Sequence, residues 1–134
     1  MTLDELGTYL AANISGATAL ALGTNLFLGR LPETPDTCVA IYETGGTVPS
    51  HTMGGASAPV VERSRVQIVV RSGNYSAGRT LAGDIWDTLE GIADEALTGV
   101  RYFRVTAVQS PFPLERDTTD RIIFTQNFDV LKEP

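Results

Sequence analysis

The chain predicts an α+β fold: a single mainly antiparallel or mixed sheet of about five strands, two helices packed on one face, and a long protruding loop or hairpin. Three observations carry that expectation. Leu3, Leu6, Leu10 and Ile14, and again Leu81, Ile85, Leu89 and Ile92, recur at helical spacing. The stretches Arg63–Arg71 and Arg121–Leu131 alternate as half-buried strands do. Between them and the amino end lies a glycine- and proline-rich stretch, residues 44–63, with no apolar period able to build a core face. The order helix, two strands, strand, helix, two strands is that of an α+β sheet.

The elements follow in turn. Thr2 and Glu5 have capping-box spacing, and the first helix is expected from Leu3 to Asn13, where Asn13, Ser15 and Gly16 stop it. Gly7 weakens that helix by roughly 1 kcal/mol relative to alanine, so tertiary packing has to hold it. Leu26–Leu31 and Val39–Thr44 read as two adjacent strands separated by Pro32, Glu33, Thr34, Pro35 and Asp36. Gly45 to Val60 reads as a long loop or protruding hairpin; structureless loops beyond roughly 12–15 residues are uncommon in compact domains unless they have a task or are disordered. In Arg63–Arg71, Val66, Ile68 and Val70 face one way and Arg65, Gln67, Val69 and Arg71 the other.

Ser76 is the expected cap of a second helix, whose apolar stripe is flanked by Ala82, Trp86 and Ala93. Asp84, Asp87, Glu90 and Asp94 form its acidic, solvated side. Tyr102–Gln109 is a further strand, closed by Ser110, Pro111 and Pro113. A turn leads to the longest strand, Arg121–Leu131, whose spacing suits a sheet edge. It carries Ile122, Phe124, Phe128 and Val130 on one face. The last two strands form an antiparallel pair, the simplest connection across a short polar turn.

The 134 residues fit one domain, 1–134, long enough to bury a core without staples. Sixteen acidic against ten basic residues leave a net charge of −6, which disfavours binding nucleic acid by phosphate neutralisation. Lys132 is the only lysine; the other cations are arginines, whose flat forks suit protein interfaces. Cys38 is the only cysteine, so neither an intrachain disulfide nor a multi-cysteine zinc site can form, and the chain reads as intracellularly made. The start Met1-Thr2-Leu3-Asp4-Glu5 lacks the positive region of a secretory signal, and Ile14–Leu28 falls short of a membrane span.

Catalytic readings fail on residue supply. A phosphate-binding loop needs a lysine after its glycines, and Lys132 has no such loop before it. His51 is the only histidine, so a hydrolase dyad would need it with Cys38, Ser50 or Ser57, in a glycine-rich setting that does not promise rigidity. Cys38 reads as a small core residue rather than a reactive thiolate. Gly45-Gly46 and Gly54-Gly55 offer backbone amides to an anion, or are simply loop glycines. No catalytic residue, cofactor or metal ligand is expected. What remains is surface: Tyr75, Trp86 and Tyr102 as possible anchors, and Arg63, Arg65 and Arg71 against acidic residues of a neighbouring copy, as in a head-to-tail ring.

Four segments, LPETPDTCVAIYETGG at Leu31–Gly46, RVQIVVR at Arg65–Arg71, YSAGRTLAGDIWDTLEGI at Tyr75–Ile92 and PLERDTTDRIIFTQNFDV ending at Val130, together resemble the tail terminator (tail completion) and minor capsid proteins of long-tailed bacteriophages. The resemblance spans roughly Leu26–Leu131. It implies a homo-oligomeric ring, commonly a hexamer, that caps the head-proximal end of the tail tube, ends tail polymerisation and joins the tail to the head connector. The implied partners are further copies of the chain, the tail tube protein and a head connector or stopper protein. DNA would pass through the channel without specific binding, no membrane is involved, and assembly takes place in the host cytoplasm. The resemblance also implies that the loop can be mobile in the free subunit and ordered on assembly; together with the strand arginines named above, the expected assembly interface is Gly45, Gly46, His51, Met53, Gly54, Gly55, Arg63, Arg65 and Arg71. A head–tail adaptor or stopper is the nearest alternative; a small hydrolase or ligand-binding domain using the His51 loop is the other.

Overall fold

The computed structural model describes residues 2–14, 19–51 and 59–133, with the backbone alone described at 46–51 and 59–60. In chain order the elements are α1 (Thr2–Asn13), β1 (Leu26–Leu28), β2 (Cys38–His51), β3 (Pro59–Ser72), α2 (Tyr75–Glu90), β4 (Ala93–Leu97), β5 (Val100–Ala107), β6 (Phe112–Arg116) and β7 (Ile122–Lys132). They build one seven-stranded sheet in the order β1-β2-β3-β7-β5-β4, with β6 also on β7. The sheet is mixed, because β1 runs parallel to β2 while every other pair is antiparallel.

The alternation expected of β3 and β7 holds and sets the core. Val66, Ile68 and Val70 are fully buried, opposite Phe128, Gln126 and Phe124 of β7 and beside Ile41 and Val39 of β2. Leu6 and Leu10 of α1 and Leu81, Ile85 and Leu89 of α2 close over the same core. Gln126 falls in register among these apolar side chains. Its Nε2 donates to the Ala82 carbonyl at 3.2 Å, which ties β7 to α2.

Two glycines let helices approach their neighbours closely. A Cβ at Gly7 would lie 3.1 Å from Leu22 and 3.2 Å from Leu28, so the loss of helix propensity there is offset by contact with β1. At Gly78 the constraint is harder, since a Cβ would come within 2.9 Å of both the Phe124 ring and the Ser72 Cβ. Gly78→Ala is therefore expected to destabilise by about 1–3 kcal/mol, despite alanine's better helix propensity, because overpacking outweighs it. Urea denaturation measures the difference.

Several expectations are corrected. The strand placed at a sheet edge, β7, is the most interior one: β3 runs along one side, and β5 and β6 share the other. Pro111 and Pro113 do not end the strand pairing, because β5 and β6 lie along β7 as two parts of one interrupted arm, bridged by the Val108 amide donating to the Asn127 carbonyl at 2.9 Å. Pro113 is tolerated because β6 pairs on one side only, where a missing donor breaks no second ladder. The second helix is capped by Asn74, not Ser76: its extended backbone lets the side-chain oxygen accept from the Ala77 amide at 3.1 Å. Ala93 and Asp94 lie beyond α2, in β4. Asp94 pairs there with Arg101 at 2.6 Å, so it does not extend the acidic side of the helix. The turn Thr98-Gly99 that joins β4 to β5 has positive φ at both residues, 50° and 81°, as two-residue hairpin turns require.

On the other side of the sheet, part of the surface is also covered. Arg71 is 3 % exposed, and its guanidinium donates to the Pro35 carbonyl at 2.6 Å and the Asp36 carbonyl at 3.3 Å. Arg121, equally enclosed, is held by Asp117 at 2.8 Å, Glu33 at 3.2 Å and Asp36 at 3.3 Å. These two arginines bind the segment 33–36 down beside Cys38, which is fully buried. Burial pushes the Cys38 thiol up, against the pull of Arg71 and Arg121. Cys38 is accordingly expected to resist alkylation at neutral pH in the native protein and to react fully once urea unfolds the chain, a difference that intact-mass measurement resolves.

Asp117 caps the turn into β7. Its carboxylate accepts from the Arg121 amide at 2.9 Å, and from the Thr119 amide and hydroxyl at 3.0 Å each. The Arg121 amide is the largest influence; with Thr119 and the Arg121 guanidinium it outweighs desolvation and holds the carboxyl down at about 2. A depressed carboxyl stabilises the native turn above its unfolded value, near 3.9, and loses that contribution as pH falls toward 2. Hydrogen exchange of the Thr119 and Arg121 amides should therefore lose protection between about pH 4 and 2.

Candidate functional site

Past the paired core, β2 and β3 continue as a two-stranded arm. The β3–β7 ladder ends at Glu62 opposite Lys132, and β1 pairs only with Val39–Ile41, yet β2 and β3 remain paired out to His51 opposite Pro59. Of the stretch expected to be a long loop or protruding hairpin, residues 45–51 and 59–60 are strand, paired antiparallel with one another and with the following residues of β3. Glycine and proline obscured this pairing: Gly45 adopts φ 112° at a bulge where the register against β3 shifts. Gly46 lies opposite Ser64, and His51 forms the last pair of β2. Met53, Gly54 and Gly55 lie outside the described residues.

At the base of this arm, on the side of the sheet away from the helices, lies an open groove of about 640 Å³. Its lining follows from strand register. Arg63, Leu131 and Arg104 form one cross-strand row, and Arg65, Asp129 and Thr106 the next. Arg63, Arg65 and Arg104 are all exposed. Arg65 is neutralised by Asp129, with Nε–Oδ1 at 2.7 Å and Nη2–Oδ2 at 3.3 Å, and that carboxylate raises the arginine's already high pKa. Arg104 donates from Nε to the Thr106 hydroxyl at 3.1 Å. Among the described residues neither Arg63 nor Arg104 has a carboxylate partner, so two unneutralised cations flank the half-buried Leu131.

The structure therefore brings together Arg63 and Arg65 with Gly45, and separates them from Arg71, which lies at the far end of β3 under the segment 33–36. It adds Arg104, which sequence reasoning passed over. Alternation in β5 gave the face of Arg104, but its place opposite Leu131 depends on a bulge between Tyr102 and Arg104 that no local pattern reveals. Chemically, the groove offers guanidinium donors to carboxylates or phosphates around an apolar floor. Among the described residues no group of three or more His, Cys, Asp or Glu side chains is arranged to hold a metal, and no helix is long and apolar enough to cross a membrane.

A family model described as bacteriophage tail terminator protein matches residues 9–134. Among solved structures, a chain from the virion of a native gene transfer agent (GTA) particle superposes with a TM-score of 0.58 at 17% identity, over 84% of this chain and 81% of that one. That identity establishes likeness of fold. No curated protein matches the chain.

Proposed function

Since the chain belongs to the bacteriophage tail terminator family and is a structural, tail-associated virion protein, we propose that it forms a homo-oligomeric ring on the head-proximal end of the tail tube, where it ends tube polymerisation and presents the joint to the head connector. The observation that carries this reading is the family match, which runs from within α1 to the last residue. The geometry agrees with a protein that works by docking. Its described residues put their chemistry into an exposed arginine groove and a ribbon of two strands with no third neighbour. An isolated two-stranded ribbon is marginally stable at best, so such an arm gains order from a partner. Tail tube protein below and connector or stopper protein above are the proposed partners, with DNA passing through the ring unread.

The test has two readouts. Sedimentation over a concentration series should show a discrete closed oligomer. Phage lacking the protein should carry tails of unregulated length. Tails of normal length on unjoined particles would instead assign the head–tail adaptor role, and a strict monomer that binds no tail tubes would overturn both.

A further inference from the structure

We propose that the arginine groove is one half of the contact between neighbouring copies, and that the other half is the outward face of α2, whose Asp84 and Asp87 enter the groove of the next copy. The proposal rests on the ring reading and specifies which surfaces meet.

Charge complementarity is the argument. The chain carries a net charge of −6, yet Arg63 and Arg104 stand on one face with, among the described residues, no carboxylate partner of their own. Asp84 and Asp87 are the converse: both lie off the buried stripe of α2, Asp84 half-buried and Asp87 exposed, and among the described residues neither pairs with a cation. Asp87 also lies in the last turn of a helix that has no basic residue there, so the negative end of the helix dipole is reinforced instead of relieved. A guanidinium from outside would relieve it.

The spacing is compatible. Arg63 and Arg104 are two strands apart, about 10 Å between backbones, and carboxylates three residues apart on a helix project side by side within reach of both flexible stems. Within one copy the two surfaces lie on opposite sides of the sheet, since α2 packs on the core side and the groove opens on the other. They cannot satisfy each other internally, and a contact between two different surfaces is the heterologous kind that closes rings.

Phosphate is the other anion that fits guanidinium, but duplex DNA is the less favoured occupant. One of the three groove arginines is already neutralised, Asp129 contributes a repelling carboxylate, and two free cations would release few counterions.

The test uses complementary charge reversals in the full chain: Arg63→Glu with Arg104→Glu in one variant, Asp84→Arg with Asp87→Arg in another. Arg63, Arg104 and Asp87 are exposed and Asp84 is half-buried, so circular dichroism with a melting curve verifies the fold of each variant. Each variant alone should self-associate at least about tenfold more weakly than the parent by sedimentation, and an equimolar mixture should recover the oligomer. The mixture is diagnostic, because alternating copies join one reversed pair and one native pair at successive contacts. Should a reversal disturb the fold, Arg63→Gln with Arg104→Gln and the salt dependence of the parent's association provide the same discrimination, association weakening as salt rises.

Undiminished self-association of either folded variant would overturn the proposal, as would a mixture of folded variants that fails to recover. A groove variant that still assembles but no longer retains duplex DNA on a gel would replace the second copy by phosphate. If the variants assemble normally and still limit tail length, only this pairing fails and the ring reading stands. If the parent is monomeric at every concentration, the ring reading itself fails.

Discussion

Lys132→Ala is expected to destabilise the protein by about 3–5 kcal/mol, a large share of the 5–15 kcal/mol that holds a typical domain together. The only lysine of the chain is 5 % exposed at its side chain and ends β7 beneath α1. Its Nζ donates to the Glu5 carboxylate at 3.0 Å and the Thr2 hydroxyl at 3.1 Å, lies 3.7 Å from the Glu62 carboxylate, and stands 5.4 Å from the centre of the Tyr102 ring. The Tyr102 hydroxyl donates to the same Glu5 oxygen at 2.6 Å. Removing the ammonium takes a counterion and a hydrogen-bond donor from the enclosed Glu5 carboxylate, which is the expensive way to break a buried pair. Removing both charges is different: Glu5→Leu with Lys132→Met should come within about 1–2 kcal/mol of the parent, since hydrophobic replacement of a whole buried pair is often neutral or better. Urea denaturation of the two variants checks the contrast. A Lys132→Ala protein as stable as the parent would show that the cluster is solvated in solution.

The same cluster limits stability at both ends of the pH scale. Burial alone would raise the Glu5 pKa, but hydrogen bonds from Tyr102 and Lys132 and the ammonium charge prevail and lower it. Its contribution is therefore complete above the ordinary carboxylate range and fades as pH drops through the lowered value. Tyr102 is shifted up, first by burial and then by its bond to Glu5, so its contribution is present below the ordinary phenol value near 10 and is lost as pH climbs beyond it. Melting temperature should accordingly be flat across neutrality and fall on both sides.

None of this cluster was legible in the sequence, although Thr2 and Glu5 were read as a capping box. Glu5 and Lys132 are 127 residues apart, and only the fold brings the first turn of α1 against the last residues of β7. What could be read was whatever repeats: the stripe of Leu81, Ile85 and Leu89 in α2, and the alternation of β3 and β7, all confirmed by burial. β4 and β6 could not, because the pattern that reveals a strand is a difference between its faces. In β6 every residue is exposed, and in β4 only Leu97 is buried. The groove shows the same division. Alternation correctly put Arg63, Arg65 and Arg71 on one face of β3, but nothing local to β3 says that the segment 33–36 covers Arg71 while Arg63 stays open.

Replacing residues 48–61 with a short Asn-Gly turn should leave the fold nearly as stable as before while abolishing the proposed capping of tail tubes. The stability half follows from where packing ends. The last core residues toward the arm are Ile41 on β2 and Val66 on β3, and the β3–β7 ladder closes at Glu62, so the excision preserves the core, the groove and the Glu62–Lys132 contact. Shortening the connection also reduces the loop-closure entropy lost on folding, a term that grows only slowly with length. The melting temperature should therefore shift by no more than a few degrees. The functional half follows from what the arm lacks: a pair of strands that finds no third neighbour among the described residues carries unpaired backbone groups on both edges. In the proposed ring, those edges would be free to pair with an adjoining copy or with the tail tube, and removing them would take that contact away. Electron microscopy of tails assembled with the shortened protein would then show overlong tubes, whereas tubes of normal length would remove the arm from the capping contact and leave the arginine groove to carry assembly.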